Sequence, residues 1–237
     1  MKIPQVKALV FDVFGTVVDW RGSIIQESRA LGEKKRIAID WVAFTDAWRA
    51  GYRPAMDRVR SGELPWTHID VLHRMILDDL VKRFDLKKLT QADKAHLNLV
   101  WHRLKPWPDS VRGLKRLKER FIIGTLSNGN VSLLANMAKH GKLPWDVIFS
   151  AELFQHYKPD PETYLGAANL LGLKPAELML VAAHKDDLLA AKACGLATAF
   201  IPRPKEFGPG VGVDLSHDKR FTLNADSFIE LAEKIGL

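Results

Sequence analysis

Val6-Lys7-Ala8-Leu9-Val10-Phe11-Asp12-Val13-Phe14-Gly15-Thr16 is an apolar run that ends in a carboxylate and a glycine turn. An unbroken β-rich run without polar alternation suits a strand buried on both faces. The run is read together with the five residues before it, Met1 to Gln5, as the first strand of a fold. Comparable runs follow at residues 121–128 (FIIGTLSN), 146–152 (DVIFSAE), 178–184 (LMLVAAH) and 197–203 (ATAFIPR), separated by helix-like stretches. That alternation predicts an α/β protein with a doubly wound parallel sheet. Ligands of such sheets sit beyond the carboxyl ends of the strands. Asp12, Ser127, Asn128, Lys158 and the stretch from His184 to Asp187 are therefore the residues placed for chemistry.

Residues 18–107 hold no comparable strand and read as helices. Trp41, Phe44, Trp48, Tyr52, Ala55 and Val59 recur at helical spacing behind Asp40, a candidate N-cap, and Pro54 is expected to kink or break that helix. A second stripe, Ile69, Leu72, Ile76, Leu80 and Phe84, follows Thr67. The spacing predicts core at 1–18, a helical cap at 19–106 and the remaining core at 107–237, with Lys105-Pro106-Trp107-Pro108 as the return hinge. Residues 203–213 form a Pro/Gly-rich loop, and a closing helix is expected behind Asn224 or Asp226.

With 237 residues, 47% of them hydrophobic, the chain can bury a real core. Its single cysteine, Cys194, excludes an internal disulfide and any multi-cysteine metal site, and fits a reducing, cytoplasmic setting. No apolar run is long enough for a membrane span and no signal-peptide pattern opens the chain, so no membrane partner is expected. A net charge of +7 suits nucleic acid, an anionic surface, an anionic small substrate or plain solubility. The one aromatic–basic segment, residues 101–107, reads as packing at the hinge, and no nucleic-acid motif accompanies it. The eight histidines miss metal-ligand spacing.

A carboxylate at the end of a buried first strand, before a glycine turn with exposed N–H groups, is placed to be a nucleophile. Four ordered blocks extend that reading: Asp12-Val13-Phe14-Gly15-Thr16, Leu126-Ser127-Asn128-Gly129, Tyr157-Lys158-Pro159-Asp160-Pro161 and Val181-Ala182-Ala183-His184-Lys185-Asp186-Asp187. Together they resemble the haloacid dehalogenase superfamily across essentially the whole core. Most of its members are magnesium-dependent phosphatases with a second Asp two places after the nucleophile and acidic metal ligands in the last block. Here those places carry Phe14 and Ala183. Neither offers the hard oxygen that magnesium requires, and Phe14 cannot transfer a proton.

Both departures resemble the type II 2-haloacid dehalogenases. The resemblance implies metal-independent, cofactor-free hydrolysis of a short 2-haloalkanoate, a small anion, with halide as product. Asp12 would attack the α-carbon and form an aspartyl ester that water hydrolyses. By position, the resemblance has Thr16 and Lys158 orient Asp12, and Asp187 support Lys158 and the water. Ser127 and the N–H groups of Val13, Phe14 and Asn128 would hold the substrate carboxylate. Arg49 would bind halide beside Asn128, and Tyr164 matches a family tyrosine. It also implies a homodimer as a candidate assembly, with the tryptophan-rich cap helices as its interface. In the last block, Ala182-Ala183-His184 departs from the dehalogenases' usual Ser-Ser-Asn, and three uses of His184 stand open: donor to halide, aid to the hydrolytic water, or packed histidine; with two cations it would suit a poor leaving group such as fluoride. A phosphatase with an atypical metal site and a non-catalytic interaction module are the competing readings.

Overall fold

The computed structural model describes residues 6–237; the start of the first predicted segment, residues 1–5, lies outside them. Six parallel strands form the central sheet: β1 (Ala8–Phe11), β4 (Ile122–Ser127), β5 (Val147–Ser150), β6 (Leu178–Ala182), β7 (Ala197–Phe200) and β8 (Leu223–Asn224). Their spatial order is β5-β4-β1-β6-β7-β8. The order runs outward from β1 in both directions, so β1 is the topological switch point where such sheets bind ligands. β8 was not legible as a strand, since two residues carry no periodicity.

The pleat explains why β1 is apolar throughout. Leu9 and Phe11 pack into one buried cluster, and Ala8 and Val10 into the other. The first layer is closed by α5 (Ser110–Lys118), α6 (Val131–Gly141) and α10 (Phe228–Ile235), with the Phe11 and Phe228 rings 5.3 Å apart. On the other side, α7 (Ala151–Phe154), α8 (Pro161–Leu170) and α9 (Lys185–Ala193) contribute Phe154, Tyr164, Ala168 and Leu188. The closing helix is capped by Ser227, which accepts from the Glu230 N–H, rather than by Asn224 or Asp226.

Between β1 and β4 the chain makes a helical layer: α1 (Trp20–Lys35), α2 (Trp41–Arg60), α3 (Ile69–Arg83) and α4 (Gln91–Asn98). Its two ends meet in an antiparallel ribbon of β2 (Val18–Asp19) and β3 (Lys105–Pro106), so the proline-flanked return is paired with the start of the layer. Asp40 caps α2 through the N–H groups of Val42 and Ala43. Of the expected kink or break at Pro54 the break does not occur: α2 runs through it. That ring lies on the exposed face, while Tyr52, Ala55 and Met56 are buried and hold the helix by packing. Thr67 is not the cap of α3. His68 occupies that position, and the Thr67 hydroxyl donates to Pro65 O. Trp41, Trp48 and Trp101 are buried within the chain, and Trp66, between α2 and α3, is half-buried. No helix of the described residues is long and apolar enough to cross a membrane.

One buried ion pair ties the first loop to the far side of the core. Arg203 donates from Nε to Thr16 O at 2.8 Å and from Nη1 to Asp109 Oδ1 at 2.7 Å. Asp109 Oδ2 in turn accepts the Phe228 N–H that opens α10. Removing one partner strands a buried charge, so Asp109→Ala should lower unfolding free energy by roughly 3–5 kcal/mol. Urea unfolding followed by tryptophan fluorescence would show it as a reduced midpoint with little change in slope.

Candidate active site

Asp12 is the first residue beyond β1, and its N–H donates to Val181 O on the neighbouring strand. The chain then reverses tightly through Gly15 at φ +84°, a conformation that disfavours a side chain. A Cβ on Gly15 would also stand 2.0 Å from Glu206 Oε1. This turn fixes the Asp12 carboxylate at the bottom of a cavity of about 380 Å³ that opens between core and helical layer.

Both carboxylate oxygens are held, but unequally. Oδ1 accepts one hydrogen bond, from Lys158 Nζ at 2.9 Å. Oδ2 accepts two, from Thr16 Oγ1 at 2.7 Å and His184 Nδ1 at 3.1 Å. Thr16 is oriented for this because its hydroxyl oxygen accepts the Ala183 N–H. Burial alone would raise the Asp12 carboxyl, but the Lys158 ammonium and the His184 ring outweigh it and hold the group well below the usual carboxylate range.

Lys158 reaches this place because its N–H donates to Asn128 Oδ1, just past β4. Its ammonium bridges Asp12 to Asp187 Oδ2, the latter at 2.5 Å. Asp187 stands in the first turn of α9, and its Oδ1 accepts from Tyr164 Oη at 2.6 Å. Burial would lower Lys158, but the two carboxylates raise it, so it stays charged. Asp187 is shifted upward by burial and by the charge of Asp12, with Lys158 acting the other way.

His184 sits between two carboxylates. Nδ1 faces Asp12, and Nε2 lies 3.0 and 3.1 Å from the two oxygens of Glu206. Both ring nitrogens meet acceptors, which only the imidazolium satisfies. Burial disfavours that charge, yet the hydrogen bonds to Asp12 and Glu206 prevail and push the ring up to about 10. Glu206 is itself buried and also accepts from Trp20 Nε1 at 3.1 Å.

The helical layer supplies the roof. The Arg49 guanidinium lies over the rings of Tyr52 (4.5 Å) and Trp20 (5.3 Å), and its Nη1 is buried with no hydrogen-bond partner among the described residues. Phe14 packs edge-on against Tyr52 and Trp101 beside it. Two ion pairs cross the mouth, Arg60–Asp160 at 2.7 Å and Arg53–Asp186 at 3.9 Å.

Asp12, Phe14, Arg49, Asn128, Lys158, Tyr164, His184 and Asp187 thus line one cavity. Thr16 lies behind Asp12 and touches it. Ser127 does not line the cavity: its side chain is fully buried and its Oγ accepts the Gly129 N–H, which leaves it stabilising the turn after β4. The Val13 side chain is buried too, so only its backbone is available to a ligand. Glu206, Tyr52, Met56 and Trp20 belong to this region and were missed. Tyr52 and Met56 carried a faint signal, sharing the α2 stripe with Arg49. Glu206 carried none, standing in an irregular Pro/Gly loop.

A divalent cation does not fit this donor set. The places that would supply ligands carry the buried Phe14 ring and Ala183, while the oxygens of Asp12 and Asp187 are bound to Lys158, Thr16, His184 and Tyr164. An ammonium already occupies the gap between the two carboxylates.

Comparison with known proteins agrees with the geometry. The family model of haloacid dehalogenase-like hydrolases matches residues 6–195. This chain belongs to the haloacid dehalogenase-like hydrolases. A solved L-2-haloacid dehalogenase is 48% identical, superimposes with a TM-score of 0.93, and aligns over 98% of this chain and 100% of its own. A defluorinating L-2-haloacid dehalogenase is 44% identical with a TM-score of 0.96, over 100% of this chain and 99% of that one. The (S)-2-haloacid dehalogenase 4A of Burkholderia cepacia is 29% identical over 87% of this chain and 90% of its own.

Within this haloacid dehalogenase-like hydrolase, the buried charges make a spectroscopic prediction. Nitrogen-15 NMR should show the His184 ring fully protonated through neutral pH, titrating at about 10. Because its folded value lies above the ordinary 6.5, its contribution to stability is complete below about 6.5 and is lost as pH rises through about 10. His184→Gln should flatten that alkaline loss.

Proposed function

We propose that this chain hydrolyses short 2-haloalkanoic acids, haloacetates including fluoroacetate among them, through an ester on Asp12. The observation that carries the reading is a carboxylate kept ionised by Lys158, with one lightly bonded oxygen, in a cavity whose metal and acid–base positions hold Phe14 and Ala183. The similarity to 2-haloacid dehalogenases, one of them defluorinating, supports the same class of substrate.

Asp12 Oδ1, with a single hydrogen-bond donor, keeps a lone pair for attack on the α-carbon. As the new C–O bond forms, the carbon–halogen pair leaves on the halide. Arg49 Nη1, unpaired and flanked by two aromatic faces, is the group to receive it, because a partly desolvated cation binds a developing anion strongly. The N–H groups of Val13, Phe14 and Asn128 carry no hydrogen bond to other described residues and would hold the substrate carboxylate, a task Ser127 is not placed for. Lys158 and Thr16 orient Asp12. Water then attacks the ester carbonyl, with Asp187 the acceptor of its proton and Tyr164 fixing that carboxylate.

In single turnover in oxygen-18 water, mass analysis should place the label in the Asp12 side chain. Halide release should persist in chelator, and a generic aryl phosphate should not be turned over with magnesium. Asp12→Asn should cut turnover by about 10⁴-fold or more while leaving the fold intact. Aryl phosphate turnover dependent on magnesium, with no halide released, would favour a phosphatase instead. Among substrates, fluoride should be released from fluoroacetate as chloride is from chloroacetate, and chloride alone would remove fluoroacetate from the range.

A further inference from the structure

In the ester proposed above, Asp12 Oδ1 is bonded to the substrate carbon and Oδ2 becomes the carbonyl oxygen. The groups already on Oδ2 are two donors, Thr16 Oγ1 at 2.7 Å and His184 Nδ1 at 3.1 Å. Each is fixed from behind. Thr16 accepts the Ala183 N–H, and His184 Nε2 is gripped by both oxygens of Glu206. Glu206 is in turn held by the Trp20 indole N–H, over a Gly15 that has no Cβ to displace it. An intact carboxylate needs no such apparatus on the oxygen that does not attack. A carbonyl oxygen about to take a full negative charge does.

We propose that Glu206 is a positioning residue that aims the His184 Nδ1–H at Asp12 Oδ2, so that His184 and Thr16 together hold the oxyanion formed when the ester is hydrolysed. The assignment rests on the ester reading of the site. Water oxygen adds to Asp12 Cγ, one of its protons passes to Asp187, and the carbonyl π pair moves onto Oδ2. When that pair returns, the Cγ–Oδ1 bond breaks, and Oδ1 leaves as the hydroxyl of the 2-hydroxy acid with the proton from Asp187. Asp12 regains its carboxylate with the water oxygen in place of Oδ1, and the second proton goes to solvent. His184 stays charged throughout. No step needs a co-reactant beyond water.

The pH dependence follows from what surrounds the ring. Asp12 and Glu206 are the carboxylates bonded to it. Lys158 and Asp187, paired to each other, stand beyond Asp12, and Arg49, Arg53 and Asp186 line the same cavity. Esterification removes the charge of Asp12, which leaves Glu206 as the anion on the ring. Ester hydrolysis should therefore fall as pH rises through the His184 titration. Without Glu206 that fall should come at lower pH.

Rapid-quench measurement of halide burst and ester decay from about pH 6 to about pH 9 tests this, comparing parent, Glu206→Gln and Glu206→Asp. In Glu206→Gln the halide burst should stay within about threefold while ester decay at the alkaline end slows by about 10²-fold, so that ester accumulates on the Asp12 peptide. The deficit should shrink toward pH 6, with the alkaline limb displaced downward. Glu206→Asp, which keeps the charge one methylene short, should recover part of both, and serves alone if the Gln variant does not fold. Equal slowing of burst and decay with an unmoved limb would overturn the assignment and leave Glu206 a structural anchor. If the parent itself releases no halide from any haloacid, the ester reading fails and takes this inference with it. Normal ester turnover in the parent with an unaltered limb in both variants would sink this inference alone.

Discussion

Lys158 Nζ lies between two buried carboxylates, 2.9 Å from Asp12 and 2.5 Å from Asp187, and the rest of the site is arranged around that ammonium. Two carboxylates this close cannot both stay ionised in a protein interior without a cation between them. One fixed ammonium gives Asp12 its charge, sets which of its oxygens is occupied, and binds α9 to the end of β1. The constraint reaches into the fold. Lys158 can take this position because Asn128 holds its backbone, and Asn128 is placed by β4, the strand beside β1. A mobile divalent cation would hold such carboxylates through vacant, exchangeable coordination; an ammonium on a tether holds them by hydrogen bonds whose directions the backbone dictates.

The second constraint is dryness above the carboxylate. Phe14, Trp48, Tyr52, His73 and Trp101 pack against one another edge-on or stacked, with His73 and Trp101 centroids 3.9 Å apart. Burial pulls His73 down to about 3, so this wall carries no charge of its own at neutral pH. Arg53 and Arg60 are paired at the mouth, so Arg49 is the cation that the roof presents without a carboxylate partner, and a low local dielectric strengthens whatever it meets. Trp48 and Trp101 shield one side of the cavity from water.

The parts of this arrangement that could be read along the chain are those tied to regular elements. Asp12, Asn128, Lys158 and Asp187 each follow or open an element whose apolar run or helical spacing is visible, so their convergence at the strand ends followed from parallel topology. Strand-end logic marked Ser127 for chemistry and the resemblance gave it the substrate carboxylate; in the structure its hydroxyl oxygen accepts the Gly129 N–H in the turn after β4. Pro54 failed as a breaker because the buried side of α2 decides its continuity, and a rule about one residue cannot weigh that packing. Glu206 was beyond reach for a different reason. A loop without periodicity fixes no direction for its side chains, and only the backbone path past Gly15 brings this carboxylate to His184.

Charge balance joins these pieces. Counted as ionised, Asp12, Asp187 and Glu206 balance Lys158, His184 and Arg49, and of these six Arg49 has a buried nitrogen, Nη1, with no hydrogen-bond partner among the described residues. A neutral site with one free cationic donor admits a monoanion without first breaking an internal pair, which an all-paired site would require. In the proposed reaction Asp12 would pass from anion to ester as the substrate yields a halide anion, so the total charge of site plus bound species would not change. What changes is its location, from the floor at Asp12 toward the roof at Arg49. The chain's overall excess of +7 favours the approach of any small anion. The separation between Lys158 and His184 below and Arg49 above is what gives that anion a direction in which to react.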